Sequence, residues 1–103
     1  MAYSREGAGS PFPQGQDEEI AYEFDFSKWG SSPSNPSVTL YDTKNKNDDL
    51  SSSNLSGSAG VSGNIVTTPL VYDLVIGGEY KLLVQVTIDG NKLSAFIRII
   101  GEL

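Results

Sequence analysis

The side chains best suited to acid–base chemistry are five carboxylates that lie close together in the sequence: Asp17, Glu18, Glu19, Glu23 and Asp25. Two carboxylates about 5 to 9 Å apart across a cleft can hydrolyse a glycosidic bond. Here, Glu23 and Asp25 fall on the polar side of an alternating segment, where solvent surrounds both carboxyl groups, and no aromatic cleft is evident beside them. This pattern argues against a glycosidase.

The composition excludes most other kinds of catalytic site. The sequence has no Cys and no His, so a thiolate nucleophile, an imidazole base and the usual zinc ligands are all missing. No Gly-rich phosphate loop, nucleophile elbow or metal-ligand spacing occurs along the chain. We therefore expect a protein that is not an enzyme and that uses no cofactor.

One acidic, oxygen-rich segment has the residue types of a calcium-binding loop. Asp42, Asp48 and Asp49 lie in one polar loop, but lysines occupy two of the alternate ligand positions of an EF-hand, and Ser53 stands where the bidentate Glu belongs. The EF-hand is excluded, and a solvated turn is the expected structure. An irregular calcium site built from the three aspartates is the alternative.

Aromatic side chains offer a different kind of site. Trp29, the only tryptophan, could form a stacking platform for a sugar ring together with Tyr41 or Tyr72, as in a carbohydrate-binding module. The alternative is that Trp29 covers one end of the hydrophobic core.

The net charge and the hydropathy of the chain limit the classes of partner that it can bind. The chain carries 7 basic and 13 acidic residues, a net charge of −6, which opposes contact with phosphate backbones and with anionic lipid. No apolar stretch near the start is long enough for a signal peptide, and none reaches the roughly 20 residues of a membrane helix. We expect protein partners, either another protein or a second copy, no nucleic acid, no membrane and a cytoplasmic location.

The elements that must position these residues are short strands. Residues 1–16 read as a disordered tail, because they are rich in Gly, Pro and small residues without apolar periodicity. Residues 17–103 read as one domain. A strand with Ile20, Tyr22, Phe24 and Phe26 facing inward opens it, and a second strand covers Ser37–Tyr41.

The middle of the domain is dominated by turns. Residues 42–56 predict a long polar loop around a short edge strand near Leu50, and Gly63-Asn64 predicts a tight hairpin between two short strands. Residues 70–75 predict one further strand, which Gly77-Gly78 ends.

The last two strands carry the strongest pattern. Asp89-Gly90 predicts a two-residue hairpin loop, and this register places nearly all the alternating apolar side chains on one face. The same register sets Leu83 beside Phe96 on the opposite face, with Ile100 in the same row. These three residues predict an exposed apolar patch that either serves as a protein interface or is covered by the rest of the domain.

Six or seven short strands without helical periodicity predict an all-β protein, an antiparallel β-sandwich. An immunoglobulin-like or fibronectin type III-like topology is favoured, because Leu74–Tyr80 resembles the corner in which a tyrosine hydroxyl bonds back to the backbone before the penultimate strand. Tyr80 as an ordinary half-buried strand residue is the alternative.

Several motifs between Leu55 and Glu102 belong together. They are a hairpin like SGSASVSGN at Ser56–Asn64, an altered T-x-P-x-L at Thr67–Leu70, G-x-x-Y at Gly77–Tyr80 and A-x-F/Y-R-I-I-x-E at Ala95–Glu102. This half of the chain resembles small proteins encoded among the head and tail genes of tailed bacteriophages and prophages. The resemblance implies a structural accessory protein of a virion that acts through protein contacts. An adhesion or carbohydrate-binding module of a larger surface protein is the alternative function.

Overall fold

The computed structural model describes residues 4–6 (backbone), 11–46 and 48–102, and almost all of its regular structure is extended. The elements in chain order are β1 (Ser4–Glu6), β2 (Phe12–Gly15), β3 (Glu23–Asp25), β4 (Ser34–Asp42), β5 (Asp48–Asp49), α1 (Ser51–Asn54), β6 (Leu55–Ser56), β7 (Gly60–Ser62), β8 (Ile65–Thr67), β9 (Leu70–Val71), β10 (Glu79–Ile88) and β11 (Asn91–Glu102). The prediction of an all-β protein is confirmed.

The final hairpin is the centre of the larger sheet, whose strand order is β1-β11-β10-β4-β5. Ile88 pairs with Asn91, so the loop consists of two residues as predicted, and both Asp89 and Gly90 have positive φ, at 51° and 80°. Two positive φ angles give a turn whose twist matches that of the strands it joins. The predicted register is therefore correct over the whole hairpin.

A second layer forms from shorter strands in the order β3-β8-β7, with β6 paired to β9 and a bridge between Ile20 and Val71. Ser62 pairs with Ile65, which confirms the hairpin predicted at Gly63-Asn64, and only the first of these two turn residues has positive φ. β8 ends at Thr67 and β9 begins at Leu70, so strand pairing in this layer is interrupted between these two residues.

The core lies between the two layers and is built from alternate residues of their strands. The fully buried side chains of the longest strands are Leu40, Leu82, Val84, Val86, Ile88 and Ile99, and those of the second layer include Phe26, Val66 and Val71. The predicted inward face of the first strand is confirmed, because Phe24 and Phe26 are buried and Tyr22 packs against the core.

Three boundaries differ from the predicted ones. The strand predicted with Ile20, Tyr22, Phe24 and Phe26 facing inward is regular only over β3, and Ile20 lies outside it, half-buried, in an isolated bridge to Val71.

β4 begins at Ser34 rather than Ser37, because Asn35 takes a left-handed φ of 51° opposite an irregularity in β10, and this accommodates Pro36 within the strand. The last strand predicted before the Gly77-Gly78 turn, at residues 70–75, shortens to β9. Asp73, with φ of 57°, turns the chain there.

The polar loop at residues 42–56 contains more structure than predicted. The predicted short edge strand near Leu50 is confirmed as β5, and a single helical turn, α1, follows. The backbone N–H of Leu50 donates to the carbonyl of Leu40 at 2.7 Å, and the Ser51 hydroxyl accepts from the N–H of the same Leu40 at 3.0 Å. These two bonds hold the loop against β4.

The expectation of a disordered tail up to residue 16 is wrong for the residues described. β1 pairs in parallel with β11 at Ser94–Phe96, and β2 pairs in parallel with β11 at Ile99–Glu102. The rest of the expected tail, residues 1–3 and 7–10, lies outside the described residues. The boundary of the folded part therefore lies before residue 17.

Gln14 explains why β2 docks although its sequence has little apolar character. The side chain is fully buried, and its Nε2 donates to the carbonyl of Val71 at 2.7 Å and to that of Glu18 at 3.2 Å. Its Oε1 accepts a hydrogen bond of 2.7 Å from the Tyr22 hydroxyl. A buried amide with all these bonds ties the larger sheet to the second layer, and apolar periodicity gives no signal for such a contact.

Candidate protein-contact surface

The residues that the sequence placed on the outer face of the final hairpin lie there in the structure. Leu83 pairs with Phe96 on one side and with Thr39 of β4 on the other. Both Leu83 and Phe96 are half-buried, whereas Ile100 is 38% exposed. We call the outward side of β4, β10 and β11 the outer face.

The apolar patch on the outer face is not continuous. The next pair on the same face is Lys81 with Arg98, and it separates Leu83 and Phe96 from Ile100, which pairs with Glu79. Lys81 also pairs with Tyr41 of β4, so an aromatic ring and two cations cross the sheet in one row. Tyr41 pairs in turn with Asp49 of β5, and Glu79 lies beside Ile100, so the outer face carries apolar, cationic and acidic side chains.

Lys81 partly covers the aromatic ring of the patch. Its Nζ lies 4.6 Å from the centroid of the Phe96 ring, within the range of a cation–π interaction. This contact lowers the apolar area that Phe96 exposes while it leaves a positive charge at the centre of the outer face. Such an arrangement suits a protein surface that presents carboxylates beside apolar side chains.

Sequence reasoning missed a second group of exposed apolar side chains, in the turn before β10. Val75 is 64% exposed and Ile76 is 49% exposed. The turn itself is fixed, because the Tyr80 hydroxyl accepts a 2.8 Å hydrogen bond from the N–H of Val75. The predicted bond from this hydroxyl to nearby backbone is confirmed, at the residue between Leu74 and Ile76.

Of the aromatic residues in the sugar-binding hypothesis, Trp29 and Tyr41 do not come together. Trp29 packs edge-on against Phe26, with ring centroids 5.2 Å apart, near the hairpin end of the sheet, and so covers the end of the core. Tyr41 pairs with Lys81, which lies seven residues before Ile88 at the hairpin end of β10. At roughly 3.4 Å per residue, this places Tyr41 about 24 Å from the end of the sheet that Trp29 covers. Tyr72 lies beside α1, where its N–H donates to the carbonyl of Asn54 at 3.1 Å. A stacking platform of Trp29 and Tyr41 is excluded.

The three aspartates of the calcium alternative are engaged in turns. Asp42 accepts from the N–H of Lys44 at 3.1 Å, Asp48 accepts from the Asn45 amide at 3.1 Å, and Asp49 accepts from the N–H of Ser51 at 2.9 Å. The bonds from Ser51 lower the pKa of the Asp49 carboxyl. Within the described ranges, no three acidic side chains gather into a group that could hold a metal ion.

The carboxylates considered for acid–base chemistry also lie on exposed surface. Glu23 and Asp25 project from β3 away from the core. The hydrogen bond from the N–H of Ser27 is the main cause of a lowered pKa at Asp25, with a smaller contribution from the Ser27 hydroxyl. A general acid needs a raised pKa, so this environment shifts Asp25 in the opposite direction.

Tyr22 is the titratable group with the largest shift among the described residues. Burial, and then the nearby charge of Glu18, raises its pKa from 10.0 to about 12. Its hydroxyl donates to Gln14, a bond that the deprotonated phenolate cannot make.

We expect one tyrosine to ionise later than the ordinary range, with a midpoint of about 12. Because the folded pKa lies above the unfolded value of 10.0, the contribution of Tyr22 to stability is complete below pH 10.0 and is lost as the pH rises through about 12. Near-ultraviolet tyrosinate absorbance and chemical denaturation across this range measure both effects. Tyr22→Phe should remove the late transition, and a late transition that survives this substitution would contradict the assignment.

Comparison with protein-family models, with curated proteins and with solved structures finds no match to this chain. Within the described residues, no helix is long and apolar enough to cross a membrane.

Proposed function

We propose that this chain is a non-enzymatic, immunoglobulin-like β-sandwich that acts through protein contacts as a structural accessory protein of a phage or prophage virion, at its head or tail. The observation that carries the proposal is the outer face, where Leu83 and Phe96 pair in register beside the row of Lys81 and Arg98. The location that follows is the virion or the cytoplasm of the host cell.

The strand order and the tyrosine contact support the immunoglobulin-like assignment. β2 runs parallel to β11 at one edge, β10 lies between β11 and β4, and β3 pairs with β8 in the second layer. The bond between the Tyr80 hydroxyl and Val75, at the start of the penultimate strand, is the feature that tyrosine corners share.

The charge distribution supports a contact role for the outer face. The whole chain carries a net charge of −6, yet Lys81 and Arg98 sit side by side near the centre of this face. A carboxylate of a partner would be attracted to the Lys81 ammonium beside Phe96, whereas most other parts of this acidic molecule would repel it. Phe96 is the aromatic anchor from which such a contact would draw most of its affinity.

The resemblance of Leu55–Glu102 to proteins encoded among phage head and tail genes supports the proposed role in a virion. The residues that carry it are strand and turn positions, including the β7–β8 hairpin and the last strand, so they favour a scaffold over a catalyst. An adhesion module that binds sugars through Trp29 has less support, because this side chain covers the core rather than facing a partner.

Replacing Phe96 by Ser tests the contact role. Because Phe96 is only half-buried, we expect the variant to fold with a loss of less than about 2 kcal/mol in unfolding free energy. In the source strain, virions released after induction and banded in a density gradient should contain the wild-type chain and at least about tenfold less of the variant, equivalent to about 1.4 kcal/mol of association.

Ile76→Ser is the matched control, since it removes an exposed apolar side chain outside the outer face and should enter virions like the wild type. Absence of the wild-type chain from the particles would refute the virion role. A loss of about 3 kcal/mol or more for Phe96→Ser would assign this residue to the core instead.

A further inference from the structure

Lys81 holds its charge over an aromatic ring rather than out in the solvent. The residue is half-buried on the central strand of the larger sheet, between Tyr41 of β4 and Arg98 of β11. Its Nζ lies 4.6 Å from the centroid of the Phe96 ring. The ammonium therefore occupies space that a partner's side chain would need in order to contact this ring.

Among the described residues, no carboxylate forms an ion pair with the Lys81 ammonium. Glu79 lies two residues away on the same side of β10 and is exposed. Asp49 lies beyond Tyr41 in the row of Lys81, and its carboxyl accepts a hydrogen bond of 2.9 Å from the N–H of Ser51. Once a partner excludes water, a hydrogen-bonded ion pair is stronger than a cation–π contact, so this ammonium has a better partner to gain.

The charges of the molecule are unevenly distributed around Lys81. The whole chain has 7 basic and 13 acidic residues, whereas the outward side of the paired hairpin segments 79–88 and 91–100 carries three basic residues and one acidic residue. They are Lys81, Lys92 and Arg98, and Glu79. A partner that presents carboxylates is attracted to this side of the hairpin and repelled by the acidic remainder, so charge directs it to Lys81.

The position of the ammonium restricts what the Phe96 ring can bind. Phe96 and its neighbour Leu83 are half-buried, and Lys81 covers part of the ring. A purely apolar partner would bury the ammonium beneath it, and a buried charge without a partner is costly. A partner with a carboxylate beside its apolar group avoids this cost, because the ammonium leaves the ring and pairs with the carboxylate.

We propose that Lys81 determines which partner the outer face accepts: it covers the Phe96 ring in the free protein and moves to a carboxylate of the partner when an apolar side chain replaces it on the ring. The partner is then a protein surface that presents Asp or Glu directly beside an apolar side chain. This inference rests on the proposed function, and it makes Lys81 a determinant of specificity in addition to the anchor Phe96.

The free protein tests whether Lys81 covers the ring. The ring current of Phe96 should shift the proton resonances of the Lys81 ε-methylene group upfield in the nuclear magnetic resonance spectrum, because this group lies over the ring with Nζ. Phe96→Ser should return these resonances to their ordinary position. Resonances at the ordinary position in the wild-type chain would overturn the proposal, since the ring would then be open to any apolar partner.

Neutral substitution of Lys81 distinguishes the two kinds of partner. Lys81→Met leaves the ring easier to reach, so a purely apolar partner would bind this variant at least as tightly as the wild type. A partner with a carboxylate loses its ion pair, and virions from the source strain, banded in a non-ionic gradient at physiological salt, should contain at least about tenfold less of the variant. Lys81→Arg keeps the charge and should stay within about threefold of the wild type. If Lys81→Met does not fold, the neutral variant Lys81→Gln should be depleted to the same extent.

Lys28→Met is the matched control, since it removes one positive charge from an exposed lysine in the turn after β3 and should enter virions like the wild type. Equal depletion of Lys28→Met and Lys81→Met would overturn the proposal, because net charge alone would then explain the loss. Depletion of Phe96→Ser without depletion of Lys81→Met would overturn it while the proposed function stands. Absence of the wild-type chain from virions would refute the proposed function and this inference together.

Discussion

Gly101→Ala should lower the unfolding free energy by about 3 kcal/mol, close to the upper end of what overpacking costs. Gly101 is buried in β11, and an added Cβ would lie far inside van der Waals contact with the carbonyl oxygen of Val75. That oxygen belongs to backbone, which cannot rotate aside as a flexible side chain can. Relief of the contact requires the whole turn before β10 to move.

The turn cannot move without losing hydrogen bonds. The N–H of Gly77 donates to the carbonyl of Gly101, and the N–H of Gly101 donates to that of Gly78, both at 2.9 Å. The bond from Val75 to the Tyr80 hydroxyl holds the other side of the turn. Displacement strains these bonds together, so the steric effect and the loss of hydrogen bonding add.

Chemical denaturation of Gly101→Ala beside Gly60→Ala measures this effect. Gly60 lies in a strand, has no positive φ and has no atom within 4 Å of its added Cβ, so its substitution should change stability by less than about 0.5 kcal/mol. Equal stability of the two variants would show that the turn before β10 moves freely, contrary to the bonds described.

Gln14→Leu should cost about 2 to 3 kcal/mol of unfolding free energy. The substitution keeps the volume of the side chain but leaves the Tyr22 hydroxyl without its acceptor and the carbonyl of Glu18 without its side-chain donor. It also removes the bond to Val71, which ties β2 to the second layer. Thermal and chemical unfolding give the loss.

Gln16→Leu provides the control, since Gln16 is exposed and two residues away on the same segment. It should lie within about 0.5 kcal/mol of wild type. In combination with Tyr22→Phe, the loss caused by Gln14→Leu should shrink, because the partner hydroxyl is already gone. If Gln14→Leu leaves the unfolding free energy unchanged, the N-terminal segment contributes nothing to folding, as the sequence alone predicts.

The register of the final hairpin was determined by the sequence alone. Strict alternation along β10, together with Asp89-Gly90, leaves one register in which the apolar side chains share a face, and a slip by one residue would reverse every side chain. A similar alternation predicted the inward face at Phe24 and Phe26, and the resemblance of Leu74–Tyr80 to a tyrosine corner predicted the contact of the Tyr80 hydroxyl. These features depend on neighbours in sequence or directly across a hairpin, where the geometry is nearly fixed.

Parts of the candidate sites were not predictable in the same way. The sequence placed Leu83 and Phe96 together, but the ammonium of Lys81 over the ring depends on which rotamer packing favours. The separation of Trp29 from Tyr41 follows from the path of β4 across the sheet, and the exposure of Val75 and Ile76 follows from how the turn rests on Gly101.

Only the tertiary structure shows that the N-terminal segment is folded and which strands lie at the edges of the sheets. β2 has no apolar period, and it docks because Gln14 meets the hydroxyl of Tyr22 and the carbonyl of Val71, the latter 57 residues away in the sequence. Likewise, β7 is an edge strand because β8 pairs with it on one side and with β3 on the other, an order that the pattern of β7 alone does not specify. Hydrophobic periodicity is a local property of the chain, whereas buried hydrogen bonds and free edges arise from contacts between distant segments, and the amino-acid pattern of either segment alone does not specify them.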